Sequence, residues 1–99
     1  MSRDLVFVAL SDPHRRLVLE RLMARGGQTL TELTEGLDIS RQALRKHLDV
    51  LESADLVSAE KCGRRRLHFL NPVPLYAEAL PWLAKFNDTP MRELVGGKN

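Results

Sequence analysis

The sequence predicts a mostly α-helical domain that carries one small β-hairpin. Helix-start residues recur along the chain at Asp12, Thr29 and Ser40, where a side-chain oxygen can accept a hydrogen bond from a free backbone N–H of the first turn. Apolar residues that follow these positions repeat at intervals of three and four, as on one face of a helix. Gly63 separates two short segments of strand type, which predicts a hairpin.

The chain length and composition predict a single domain over residues 1–99, with an ordered core of about residues 4–88 and a short mobile tail over residues 89–99. No apolar run approaches the roughly 20 residues of a membrane span, and no secretory signal is expected. The single cysteine excludes an internal disulfide and fits a reducing cytosol, so we expect a cytoplasmic protein. The net charge is only +2, so the distribution of charge says more than its sum.

The first apolar segment, residues 4–10, is compatible with a short buried strand or a buried helix, and we favour a helix. An element that is apolar on all sides needs cover from more than one direction, and a second subunit could supply part of it.

A second helix is predicted from Asp12-Pro13 to about Arg25, with Val18, Leu19, Leu22 and Met23 as its buried stripe. This helix opens with His14, Arg15 and Arg16. Their side chains either hold a phosphate or are ordinary solvated groups.

A helix-turn-helix follows. Thr29 and Glu32 match a capping box that starts a short helix, and Ser40 starts the next helix within residues 39–56. Leu44, Leu48 and Leu51 share the buried face of this second helix. Its outer side is polar and basic in the first turns, which suits the major groove of DNA, because Arg pairs with guanine, Gln pairs with adenine and other cations meet phosphate. Ordinary solvated charges are the alternative interpretation.

The hairpin is predicted over residues 56–70, with Leu67 and Phe69 facing inward and alternating with Arg66 and His68. Four cations fall within residues 61–66. They could be solubilising cations of an edge strand, but a phosphate clamp explains them better. Cys62 at the tip is either a thiol sensor or simply a tolerated residue.

The last helix is predicted over residues 74–87, with Pro81 kinking it or splitting it in two. Trp82 and Phe86 offer much apolar surface, either to the core or to a second subunit, and we favour a shared interface. One further turn is expected over residues 91–95.

This combination of segments resembles the ArsR-type (arsenic-repressor-like) winged helix-turn-helix regulators. The resemblance lies in residues 7–16, 29–33, 40–48, 51–57 and 63–66, and covers about residues 4–87. It implies five helices plus a two-stranded wing, a homodimer joined through the first and last helices, and a recognition helix in the major groove. Where the family usually has glycine in the turn, this chain has Asp38, which we expect to adopt the left-handed conformation.

The resemblance and the charge pattern together give a candidate DNA site, in which His47 either donates to a phosphate or packs half-buried beside Leu48. The candidate DNA-binding residues are Ser40, Arg41, Gln42, Arg45, Lys46, His47, Lys61, Arg64, Arg65 and Arg66. The candidate dimer residues are Leu5, Val6, Val8, Leu75, Ala79, Trp82 and Phe86.

No metal site is expected. The metal-sensing relatives carry paired cysteines before the recognition helix, or an Asp/His set in the last helix, and this chain has neither. Its three histidines, His14, His47 and His68, fall in three elements, whereas zinc needs about four converging ligands.

The sequence therefore predicts a homodimeric repressor that binds a pseudo-palindromic site in double-stranded DNA, without a cofactor or a membrane partner, and with an unknown effector. A winged-helix module that binds an acidic protein is the alternative. Catalysis is not expected, because no Gly-rich phosphate loop and no nucleophile–base pair is present.

Overall fold

A computed structural model of the protein describes residues 3–89, leaving out the side chain of Arg3. The described helices are α1 (Arg3–Leu10), α2 (Pro13–Ala24), α3 (Leu30–Thr34), α4 (Arg41–Ser53) and α5 (Leu80–Ala84), and the strands β1 (Val57–Cys62) and β2 (Arg65–Leu70) lie between α4 and α5. This is the predicted winged helix-turn-helix, with five helices and a two-stranded antiparallel wing. The expected mobile tail and the turn over residues 91–95 lie outside the described residues, apart from Thr89.

The helix starts are where the capping residues place them. Asp12 accepts hydrogen bonds from the backbone N–H groups of His14 and Arg15, and Pro13 occupies the first turn of α2. Thr29 and Glu32 form the full capping box of α3. Ser40 accepts from the backbone N–H of Ala43 at 3.0 Å and so starts α4.

The core lies between α1, α2, α3 and α4 and is closed on one side by the wing. Its largest aliphatic side chains have no solvent exposure, and each contributes about 1.5–3 kcal/mol by leaving water. They are Val6, Val18, Leu33, Leu44, Leu48, Leu51 and Leu56. Met23 was predicted to join this core, but its side chain is 70% exposed. Met23 follows Leu22 in α2 and lies just outside the buried face that Val18, Leu19 and Leu22 form.

Two backbone positions shape the connections. Gly36 adopts the left-handed conformation in the turn between α3 and α4, with φ +77°. The prediction for Asp38 is wrong, because among the described non-glycine residues only Asp55 has positive φ, at +57°. Asp tolerates this conformation better than most residues, and here it turns the chain from α4 into β1.

The wing packs on the body of the domain through Val57, which is buried in the core, and through the buried His68. The antiparallel pairing of β1 and β2 runs from Val57 opposite Leu70 to Cys62 opposite Arg65. Gly63 opens the two-residue turn between the strands with φ +63°. His68 forms a bridge with Gln28 in the loop between α2 and α3. The predicted alternation is wrong at this point, because His68 is the buried residue of β2, whereas Leu67 and Phe69 are half-buried.

The predicted disturbance at Pro81 takes the form of a π-helical turn over Leu75–Ala79, which leads into α5. The N–H of Leu80 donates to the carbonyl of Leu75, five residues back. Pro81 has no N–H and its ring conflicts with the carbonyl four residues earlier, so the extra residue in the turn relieves that conflict. Over residues 3–89, no helix has the length and apolar character that crossing a membrane requires.

Candidate nucleic-acid interface

Helix α4 is buried behind and basic in front. Leu44, Leu48 and Leu51 have no solvent exposure, so the orientation of the helix about its axis is fixed. The polar residues of its first turns consequently project from the protein surface. Ser40, Arg41, Gln42, Arg45 and Lys46 are all exposed.

The wing and α4 share one groove. A cavity of about 310 Å³ opens between the start of α3, the outer side of α4 and the wing, from its turn at Arg64 along β2 to His68. Five arginines line it, together with His68 and residues 29–31. The arginines are Arg41, Arg45, Arg64, Arg65 and Arg66. Lys61 is also exposed, opposite Arg66 in the wing. Two segments that are separate in sequence thus form one cationic concave surface, as expected for a surface that follows a phosphate backbone.

Three of these arginines have carboxylate neighbours. Arg66 Nη2 is 3.1 Å from Glu52 Oε1, and Arg65 Nη2 is 3.8 Å from Glu32 Oε1. Arg45 Nε is 3.9 Å from Asp49 Oδ1. About half or more of each arginine side chain is exposed. These ion pairs therefore contribute little to stability, and each arginine can exchange its carboxylate partner for a phosphate.

Glu32 is held in its ionised form next to this groove. The hydrogen bond from the backbone N–H of Thr29 is the largest influence and lowers the pKa of the Glu32 carboxyl. Desolvation is the second and raises it, but the Thr29 hydroxyl and Arg25 add to the lowering, so the pKa falls below its ordinary value. The carboxylate therefore stays charged at neutral pH and orients Arg65.

His47 faces the protein rather than the groove. Arg15 Nη1 donates to His47 Nδ1 at 3.0 Å, because a guanidinium has only donors. The proton of the neutral ring is then on Nε2, which lies 3.8 Å from Asp12 Oδ1. Both ring nitrogens face protein groups, so of the two interpretations of His47 the structure favours the half-buried one.

The two arginines that open α2 donate hydrogen bonds to carbonyls at the end of α1. Arg15 Nε donates to the carbonyl of Ala9, and its Nη2 donates to the carbonyl of Val8, both at 2.9 Å. Arg16 Nη1 donates to the carbonyl of Leu10 at 2.8 Å. Both guanidiniums satisfy carbonyls at the end of α1, where a helix favours positive charge.

The histidines are not all scattered, contrary to the sequence-based expectation. The rings of His14 and His47 are stacked with centroids 5.8 Å apart. One ring nitrogen of each histidine and one carboxylate oxygen of Asp12 all lie within 4.8 Å of one another. Asp38 Oδ1 is 3.3 Å from Nε2 of His14. The same Asp12 oxygen caps α2, and Arg15 puts a positive charge 3.0 Å from His47. This arrangement fastens α4 to α2 and is poorly suited to a cation.

The residues predicted for a dimer contact divide into three groups by their exposure. Val6 and Ala79 are already buried within the chain, so that part of the prediction is corrected, because they have no surface left for a partner. Leu75 is half-buried. The others remain exposed and are Leu5, Val8, Trp82 and Phe86.

Phe7 and Phe86 both make edge-to-face contacts with Trp82, at centroid distances of 5.3 Å and 4.9 Å, so α1 and α5 present one continuous apolar surface. Tyr76 and Leu80 are further exposed apolar residues of this surface, and the periodicity of an ideal α-helix did not predict them. The π-turn before Pro81 rotates the face, and only the proline itself signals this in the sequence.

A helix-turn-helix whose second helix shares a basic groove with a β-hairpin defines the class of winged helix-turn-helix DNA-binding proteins. A family model described as a helix-turn-helix domain matches residues 10–58. The chain belongs to the ArsR-type family of winged helix-turn-helix transcriptional regulators.

Similar proteins support this membership. The uncharacterized HTH-type transcriptional regulator YuzN of Bacillus subtilis is 41% identical over 88 residues, which are 83% of this chain and 96% of the relative. The transcriptional repressor SdpR of Bacillus subtilis is 32% identical over 82% of this chain and 88% of its own length. The solved structure of an ArsR-like transcriptional regulator from Rhodococcus sp. RHA1 superposes with a TM-score of 0.77 at 33% identity, covering 96% of this chain and 85% of that chain.

Proposed function

We propose that this DNA-binding regulator acts as a cytoplasmic homodimeric repressor of transcription that binds a pseudo-palindromic operator. The observation that carries the proposal is the single groove lined by arginines from both α4 and the wing. The name of the similar repressor SdpR supports the direction of regulation.

The proposed roles of the basic residues follow from their positions. Arg41, Gln42 and Arg45 lie in the first turns of α4 and read base edges in the major groove. The remaining cations hold the phosphate backbone and fix the register of α4 on the duplex. These are Lys46, Lys61, Arg64, Arg65 and Arg66.

The proposed dimer uses the apolar surface that α1 and α5 present. Val8 and Phe86 are 53% and 54% exposed, and surfaces of this kind in a small domain mark interaction sites. A two-fold dimer places two copies of α4 on one face of a duplex, with half-site centres separated by about 10 bp or a multiple of it.

Selection of bound duplexes from a random pool, followed by anisotropy titration of the selected sequence, tests the proposal. We expect an inverted repeat with this spacing and binding that weakens steeply with salt. A protein that shows no sequence preference at any salt concentration contradicts the proposal and favours the module that binds an acidic protein.

A further inference from the structure

His68 is a buried histidine with one defined tautomer. Its side chain is 1% exposed, and Nδ1 lies 2.9 Å from the backbone carbonyl of Gln28. A carbonyl only accepts hydrogen bonds, so Nδ1 carries a proton and donates. The backbone bridge between His68 and Gln28, with its N–H to O distance of 2.8 Å, holds the residue in place.

The other ring nitrogen has no partner. Nε2 of His68 is buried and makes no hydrogen bond to any of the residues that the structure describes. An unpaired buried polar atom is unfavourable, so such atoms are uncommon and call for a physical explanation. His68 lines the same groove as the five arginines.

The charges around this groove determine when Nε2 can donate. Positive charge comes from α4 through Arg41 and Arg45, and from the wing through residues 64–66. Negative charge comes from α3 through Glu32, which Arg25 and Arg65 both approach. An anion bound beside a histidine favours the charged form of the ring, because opposite charges attract. Protonation of His68 and anion binding therefore favour each other by the same amount.

We propose that the groove between α4 and the wing is a phosphate site, and that His68 completes it by donating from Nε2 to a phosphate oxygen as an imidazolium. The arginines supply long-range attraction and direct hydrogen bonds, and His68 supplies a fixed donor at the floor of the groove. The phosphate belongs to the DNA backbone or to a free phosphate group, and the inference rests on the proposed function only for the first source.

Nitrogen NMR of the histidine side chains at constant pH tests the proposal, because the shift of Nε2 reports directly whether it carries a proton. At about pH 7.5, where an ordinary histidine is mostly neutral, we expect added duplex, inorganic phosphate or both to convert Nε2 of His68 to its protonated form. Conversion by duplex alone identifies the DNA backbone as the source. Conversion by inorganic phosphate, with competition against duplex, shows that free phosphate also occupies the site.

Two outcomes separate this inference from the proposed function. Sequence-selective duplex binding that leaves Nε2 of His68 unprotonated, with no effect of phosphate, overturns the phosphate site and leaves the regulator intact. Protonation by phosphate in a protein without duplex selectivity supports the site and contradicts the proposed function.

A variant provides an independent readout. His68→Phe removes Nε2 and leaves the Gln28 carbonyl bonded to the backbone N–H of residue 68. The affinity of the unsubstituted protein for duplex should fall by up to about tenfold per pH unit over a range near neutral pH, the limit for one linked proton, and this dependence should vanish in His68→Phe. His14→Gln, which alters a histidine outside the groove, should keep it. A pH profile that is the same in His68→Phe as in the unsubstituted protein overturns the proposal.

Discussion

Arg15 and His47 join the recognition helix to the corner between α1 and α2, with Nη1 of Arg15 3.0 Å from Nδ1 of His47. The same guanidinium donates to the carbonyls of Val8 and Ala9 at the end of α1. One side chain therefore links the helix that faces DNA to the helix that carries part of the apolar surface proposed for the dimer. In the dimer that we propose, we expect the angle between the two α4 helices to depend on this link.

Arg15→Ala should lower the free energy of unfolding by about 2–3 kcal/mol, because the partly buried hydrogen bonds of a charged group to Ala9 and His47 are lost. The carbonyl of Val8 keeps its hydrogen bonds from Ser11. Urea denaturation followed by circular dichroism measures the change. Arg16→Ala is the matched control, since it removes one exposed hydrogen bond, to Leu10, and should cost less than about 1 kcal/mol. Equal losses in the two variants contradict the role assigned to Arg15.

Asp12 makes the stability of the domain sensitive to acid. Burial is the largest single influence and raises the pKa of its carboxyl, but hydrogen bonds from the backbone N–H groups of Arg15 and His14, with the nearby side chains of His47 and Arg15, together outweigh burial and lower the pKa below 3.8. A carboxyl whose pKa is lower in the folded state stabilises the fold above its unfolded pKa, and this contribution is lost as pH falls through the folded pKa.

Asp12→Ala should therefore lower the free energy of unfolding by about 1 kcal/mol at neutral pH, the usual cost of losing a helix N-cap. The difference between Asp12→Ala and the unsubstituted protein should shrink as pH falls below 3.8. Denaturant midpoints measured across this range provide the test. A difference that grows in acid contradicts the assignment.

Much of the fold can be predicted from the sequence because local signals agree with the final packing. Asp12, Thr29 and Ser40 cap α2, α3 and α4 as expected, and Gly63 opens the turn of the wing. Each of these signals acts over three or four residues, so no knowledge of distant contacts is needed. The exposed basic side of α4 follows for the same reason from the spacing of its leucines.

Features that depend on distant partners could not be predicted in this way. His68 alternates with apolar residues as an outward-facing residue would, but its bridge to Gln28, forty residues away, buries it. Likewise, His14 and His47 lie in different helices, and only the packing of α2 against α4 stacks their rings. The paired roles of Arg15 and Arg16 at the end of α1 also require knowing where α1 ends in space.

Two arginines of the groove should respond differently to substitution. Arg41→Ala should cost about 1–3 kcal/mol at one base pair of the selected site and relax the preference there, because a base contact is lost. Arg65→Ala should weaken all sequences alike and reduce the slope of log affinity against log salt by about 1, because a phosphate contact is lost. Anisotropy titrations on selected and scrambled duplexes at several salt concentrations separate the two effects.

Lys85→Ala is the control for net charge, since Lys85 is an exposed cation at the end of α5. It should change neither the sequence preference nor the salt slope appreciably, because Lys85 is not among the residues that line the groove. Identical losses on selected and scrambled duplex for both Arg41→Ala and Arg65→Ala contradict the separate roles.

The apolar surface of α1 and α5 should determine the oligomeric state. Leu83 is exposed on α5 and lines a cleft of about 300 Å³ with Tyr76 and Leu80. Leu83→Glu should convert the dimer to a monomer, because a carboxylate buried in an apolar interface without a partner costs several kcal/mol. Met23→Glu, a charge placed at an exposed apolar residue of α2, should leave the dimer intact. Sedimentation velocity at micromolar concentration distinguishes the two species. This surface is ruled out as the dimer interface if the unsubstituted protein sediments as a monomer or if Leu83→Glu stays dimeric. A Leu83→Glu variant that is monomeric and binds the full operator much more weakly than the dimer links assembly to DNA binding.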